Sequence, residues 1–445
     1  MIDIRKYLFG ILSNDDDLDR ACKSIPAESC QEVPWNFAAN VCNGAASKLA
    51  EQIAGPNLIL PWLFQLIGAP VWMFGFLMPI KQSFSLLPQM LVAGWIRQIA
   101  RRKWVWVGAA ALQVFCLLLM IPAALWLPAT LAGFLLLTLL IVFSAASGTA
   151  SVAFQDVLGK TIGKGRRGQL LARRALIGGI LTTAAGLLLN RLRGSQDELA
   201  PVLILLLIAA ALWALSAFFF ALIREAPGAV KGGRNAISEV STGWDYFRGQ
   251  QGFRRFMQAR ALLLSVELAT PFFVLHAGKI LELKLQSVGS LVVAIGFSQI
   301  LSSPFWGKLA DRTSKTVLGY SALIGFAATL LALALAYLPG QTMQYAGTLL
   351  VFVLIGLAEA GVRLGRKTYL VDATPQDERA TYTAFSNSTI GILAMLSGFS
   401  GLIAQWFGSS VMLIVIAVLM LLGFLVCRRL PEAERMLPGL DQGVP

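Results

Sequence analysis

The chain has 445 residues, 56% of them hydrophobic and 14% charged, and carries a formal net charge of +13. That balance excludes an ordinary soluble domain, which needs polar residues over its surface, and apolar runs of about 20 residues recur along the chain as they do in helices that cross a bilayer. The cations are dispersed over many short connections and not gathered on one domain, which argues against a nucleic-acid-binding surface.

In chain order, residues 1–34 read as an acidic cytoplasmic leader (NDDDLD at 14–19) without the basic and apolar pattern of a cleavable signal peptide. Its opening, MIDIRKYLFGIL, has the pattern of a short amphipathic helix at a membrane surface. Twelve apolar segments follow, at 36–58, 70–93, 104–122, 129–156, 169–190, 200–223, 255–279, 287–306, 316–338, 343–366, 382–406 and 410–427. Between the sixth and seventh lies a polar cytoplasmic linker, 224–254, whose Trp244–Arg248 stretch suits an interface. It divides the chain into an N-terminal bundle at 35–223 and a C-terminal bundle at 255–428, with a tail at 429–445. The expected fold is all-α: a polytopic membrane protein of twelve transmembrane helices in two six-helix pseudo-repeat bundles.

Lys and Arg are distributed 27 to 4 between the leader, even-numbered connections and tail on one side and the odd-numbered connections on the other. The positive-inside rule then places both termini in the cytoplasm of a cell membrane, plasma or inner. The cysteines Cys22, Cys30, Cys42, Cys116 and Cys427 have no metal-like spacing and are expected as free thiols. GKGRRG at 163–168 is a literal Gly-x-Gly-x-x-Gly, but no strand feeds it and no Lys-Ser/Thr follows it, so neither a dinucleotide nor an ATP site is expected. His276, the single histidine, suits interfacial hydrogen bonding better than proton carriage, and no metal site is expected.

The connection after segment 2 reads GWIRQIARRK (94–103) and that after segment 8 reads GKLADRTSKT (307–316). They occupy the same place in each half, a repeat of about 213 residues. A second landmark recurs: Asp156 ahead of Arg167–Gly168, and Asp372 ahead of Arg379–Ala380. The pattern resembles the major facilitator superfamily of secondary transporters, in which this loop follows Gly-x-x-x-Asp-Arg-x-Gly-Arg-Lys. Gly307, Asp311 and Arg312 match, Lys315 keeps a charge, and Ser314 and Thr316 depart. In the first copy Gly94, Arg102 and Lys103 match, whereas Gln98, Ile99 and Arg101 depart. The resemblance implies an inner gate built from these residues with Asp156, Asp372 and Arg379, better preserved in the second half, where Asp311 keeps the acid. The alternative is that the cations only set topology and the acids only cap helices.

Ionisable groups at membrane depth are costly unless paired or facing a cavity. Lys48 and Glu51 in segment 1, Lys81 in segment 2, Glu267 in segment 7, and Glu359 and Arg363 in segment 10 are therefore candidates for solute or proton binding. An anionic or zwitterionic solute is expected against Lys48 and Lys81, with Glu267 or Glu359 carrying a proton. Lys48 with Glu51 and Glu359 with Arg363 also stand at spacings that permit simple pairing. Arg260, Arg173 and Arg174 are expected to snorkel toward the cytoplasm. These residues point to alternating-access transport of a small solute, driven by a proton or sodium ion, by a monomer among membrane lipids, with no cofactor, catalytic residue or nucleic-acid partner. A transporter-like receptor or scaffold is the other reading.

Overall fold

The computed structural model describes residues 32–55, 59–162, 164–191, 199–227, 236–281, 285–310, 313–337, 339–374 and 378–436. The acidic leader up to residue 31, with Cys22 and Cys30, lies outside them, as do Asp311 and Arg312. The described residues form helices: α1 (Val33–Ile53), α2 (Ile59–Leu66), α3 (Phe74–Arg97), α4 (Lys103–Trp126), α5 (Ala129–Thr161), α6 (Lys164–Arg191), α7 (Leu199–Ala221), α8 (Ala236–Gly249), α9 (Gln251–Leu268), α10 (Thr270–Leu281), α11 (Leu285–Ala310), α12 (Ser314–Leu335), α13 (Gln341–Ala373), α14 (Arg379–Ser397), α15 (Ser400–Phe407) and α16 (Ser409–Arg428).

Among the described residues eight stretches are long and apolar enough to cross a membrane, two of them the broken helices formed by α9 with α10 and by α14 with α15. The charged or polar-studded α1, α3, α6 and α11, of 21, 24, 28 and 26 residues, also exceed the roughly 20 residues needed to span the hydrocarbon. Large apolar side chains such as Phe115 and Leu118 on α4 and Ile204 and Leu207 on α7 are exposed, as a lipid-facing surface requires.

Several ends differ from the apolar windows. The first segment stops at Ile53 ahead of Gly55–Pro56, and a separate buried helix, α2, takes up the stretch ILPWLFQL. α5 and α13 each run 33 residues, past Asp156 and Asp372, so these acids lie within the last turns of helices. Gly94 and Gly307 belong to the helical runs of α3 and α11 and not to loops. Part of the polar linker is itself helical: α8 rests on α14 through Trp244, Phe247 and Phe385, and Tyr246 stacks on Tyr382.

The chain forms two compact units. The first contains α1, α3 from Phe84, α4, α5, α6 to Thr182, and α7; the second contains α2, α3 to Ser83, the end of α6, and α8 to α16. In the first, α4 packs on α5 and α7, and α7 on α1. In the second, α12 packs on α13 and α16, and α16 on α9. These are the same neighbours one repeat later, so the duplication read from two loops extends to helix packing. Within the second unit α3 crosses α15 so closely that a Cβ on Gly75 would lie 2.5 Å from backbone atoms of Gly398 and Gly401, and α15 turns into α16 through Gly408 at φ +88°, a conformation suited to glycine.

Candidate functional site

The charged cluster of the second unit is built around a helix break. Pro271 has no N–H to offer the carbonyl of Glu267 four residues earlier, and its ring crowds that carbonyl, so α9 ends at Leu268 and α10 restarts at Thr270. Glu267 and Thr270 thus flank an interruption inside a membrane-spanning stretch. Glu267 is 4% exposed and faces Arg366 of α13, whose Nη1 lies 3.1 Å from Oε1 and 3.3 Å from Oε2. Only the longer contact has hydrogen-bond alignment; the shorter is electrostatic. Glu359, 8% exposed, accepts a 2.6 Å hydrogen bond from Thr270 Oγ1, and the charges of Arg363, Glu267 and Lys81 act on it.

Arg363 is exposed, and no ion pair joins it to Glu359 among the described residues. The four-residue spacing therefore permits a pair that the hydroxyl of Thr270 replaces. Arg260 does not snorkel: it is 6% exposed and donates from Nη1 to Ser386 Oγ and from Nη2 to Asn387 Oδ1 at 2.8 Å, both on α14. Glu267, Glu359, Lys81 and Arg363 are thus gathered in one unit with Arg260, Arg366, Thr270, Ser386 and Asn387. Sequence reading had no way to single out Arg366, because its partner lies 99 positions away on another helix.

Lys48 and Glu51 belong to the other unit and pair with each other at 3.1 Å, with side chains 46% and 33% exposed. Beside them in α1 stand Asn36, Asn40 and Asn43, all wholly buried, at the i, i+4, i+7 spacing that lines one helix face. Asn43 Nδ2 donates to Ser216 Oγ and O of α7 at 2.8 and 3.0 Å; Asn36 and Arg224 exchange hydrogen bonds of 3.1 and 2.8 Å. Arg174 of α6 donates to the Asn40 carbonyl at 3.0 Å and lies over the Phe154 ring, so it too is packed inside. Three asparagines in an otherwise apolar run were the signal for this polar seam.

At one end of the first unit, Arg102 pairs with Asp156 at 3.0 Å. Lys103 Nζ donates to the carbonyls of Ala221 and Ile223, both at 2.8 Å, at the C-terminal end of α7. Glu225, unnoticed in the sequence, has a fully buried side chain that takes the Nζ of Lys160 at 2.8 Å and the backbone N–H groups of Arg102 and Lys103 at 3.1 and 2.8 Å. In the second unit Lys315 pairs with Glu432 at 2.8 Å, and Tyr369 donates to the carbonyl of Pro431 at 3.0 Å. Asp372 is exposed near the end of α13; the surroundings of Gly94, Gly307 and Arg379 fall outside the described side chains.

His276 lies 3.2 Å from Ser409 Oγ through Nδ1 and is buried. Cys42, Cys116 and Cys427 are free thiols.

Residues 261–442 match the family model described as Major Facilitator Superfamily. An uncharacterized protein of Mycobacterium tuberculosis is 26% identical over 294 residues, 64% of this chain and 56% of its own length, so the chain spans little more than half of that relative. Among solved structures the fold is similar to that of nucleoside transporter NupG (14% identity, TM-score 0.64, covering 88% of this chain and 98% of that one). It is likewise similar to a D-xylose-proton symporter (12% identity, TM-score 0.64, covering 92% and 98%). The family match lies in the C-terminal half, the fold along nearly the whole length is similar to that of these transporters, and the helices long and apolar enough to cross a bilayer mark an integral membrane protein.

Proposed function

We propose that the protein is a secondary active transporter that moves a small solute by alternating access, coupled to protons, and that the solute carries at least one negative group. The observation that carries this reading is the pair of buried carboxylates, Glu267 and Glu359, beside a broken helix in a membrane-spanning stretch. A carboxylate held at membrane depth among movable partners can gain and lose a proton as its surroundings change. The neighbour named as a proton symporter supports a proton as the coupling ion.

The cations Arg101, Arg102, Lys103, Lys160 and Arg224 collect where α3 and α5 end, α4 begins and α7 has ended, which supports a cytoplasmic setting for that end and for both termini. In this reading Arg102, Lys103 and Asp156 in the first half, and Gly307, Asp311, Arg312, Lys315, Asp372 and Arg379 in the second, hold the cytoplasmic gate. Gly94 lets the helices approach there.

The test is charge movement by proteoliposomes on a solid-supported membrane, driven by a pH gradient while fractionated metabolite pools are flowed across. Pool-dependent currents are expected, with Glu267→Gln and Glu359→Gln each removing the gradient-driven part. Currents unchanged in both variants would remove the carboxylates from coupling, and no flux with any pool would overturn transport itself.

A further inference from the structure

Arg260 and Arg366 are two guanidinium groups served by one nearby carboxylate. Arg366 contacts Glu267, and the charges of Arg366 and Glu267 both act on Arg260. The hydrogen-bond partners of Arg260, Ser386 and Asn387, are neutral, and its Nε has no partner although the side chain is buried. Glu359 does not supply the second negative charge, because it is turned to Thr270. A buried cation without a counter-charge is strongly disfavoured, so this pair calls for one more anion than the described residues provide.

We infer that Arg260 and Arg366 form the binding site for an oxyanion of the solute, a carboxylate or a phosphate, which supplies the second counter-charge beside Glu267. The inference rests on the transport reading for its purpose but not for its chemistry. The charged groups around this site are Glu359, Arg363 and Arg366 from α13, Lys81 from α3, and Arg260 on the same helix as Glu267. α14 offers the neutral Ser386 and Asn387, α10 offers His276 engaged with Ser409, and α12 and α16 carry Lys315 and Arg428 at their ends.

The test is binding to the full chain in lipid nanodiscs, read as thermal stabilisation at about pH 7.5. The probes are inorganic phosphate, succinate and citrate, set against choline, spermidine and glucose. An oxyanion is expected to stabilise the protein, Glu267→Gln to bind it more tightly because a competing charge is gone, and Arg366→Lys or Arg260→Lys to weaken it by about tenfold or more. The lysine variants keep the charge, so that folding survives where a neutral substitution fails. Stabilisation by no oxyanion, by the cations or glucose alone, or with no loss in either lysine variant overturns the inference. Flux without oxyanion binding overturns this site and leaves transport standing, whereas binding without flux overturns transport and leaves the site.

Discussion

The two halves hold the segment after their last helix against the loop after their second helix, and they do so with different strength. In the first half Glu225 is wholly buried, accepts from Lys160 and from two backbone amides that open α4, and sits in a segment pinned by Asn36 of α1. In the second half Glu432 is 43% exposed, pairs with Lys315 from the first turn of α12, and is pinned by Tyr369 of α13. The first-half loop is the one that has Gln98 where the family pattern has an acid. The carboxylate that serves this loop is Glu225, four residues past the end of α7. There the carboxylate does two tasks at once: it meets the positive end of α4 and satisfies N–H groups that a helix start leaves without partners.

The sharpest way to break this comparison is Glu225→Ala. It strands Lys160 and two amides in a buried site, so a loss of about 3–5 kcal/mol is expected, against about 1 kcal/mol or less for Glu432→Ala. Thermal unfolding of both variants in one detergent measures the difference; equal losses would remove the asymmetry. Glu225→Gln keeps an acceptor for the amides and loses only the charge, so its loss is expected to fall between the two.

This asymmetry was only partly legible in the sequence. The repeat and its cation-rich loops follow from local chemistry, whereas the helix ends at Ile53 and Leu268 fall inside the apolar windows 36–58 and 255–279, because hydropathy does not register what proline does to the backbone. Glu225 looked like one more loop acid because its partners, Lys160 and the start of α4, lie 65 and over 120 positions away. Arg366 was hidden for the same reason. Arg174 and Arg260 were misplaced because their helices begin earlier than the apolar windows do, at Lys164 and Gln251, which carries each guanidinium two to three turns inward. The asparagine seam of α1 was open to view, as three amides on one face of an apolar helix have to find partners.

A smaller effect is expected where the pair is partly exposed in the first half. Asp156→Asn removes the more exposed member of the pair, 35% against 12% for Arg102, so a loss of about 1 kcal/mol is expected, reduced at high salt. Lys315→Met should cost still less, within about 0–1 kcal/mol, since its pair is 27% and 43% exposed. A salt series on the two variants separates them from Glu225→Ala, whose loss should persist because burial shields the pair from screening.

The smallest effect carries the most information about why the first loop tolerates its departure. Gln98→Asp restores the family's acid at an exposed position close to Arg101 and Arg102. If the loop lacked a counter-charge, a new carboxylate beside the start of α4 would stabilise the protein measurably. With Glu225 already bonded to the amides of Arg102 and Lys103, the added charge finds those donors taken and gains only a solvated contact. The expected change in unfolding is within about 0.5 kcal/mol. The same substitution placed in Glu225→Gln should recover part of the lost stability, because the positive end of α4 is then open to a second anion. Recovery in the double variant alone would show that the two acids, 127 residues apart in the chain, serve one helix end.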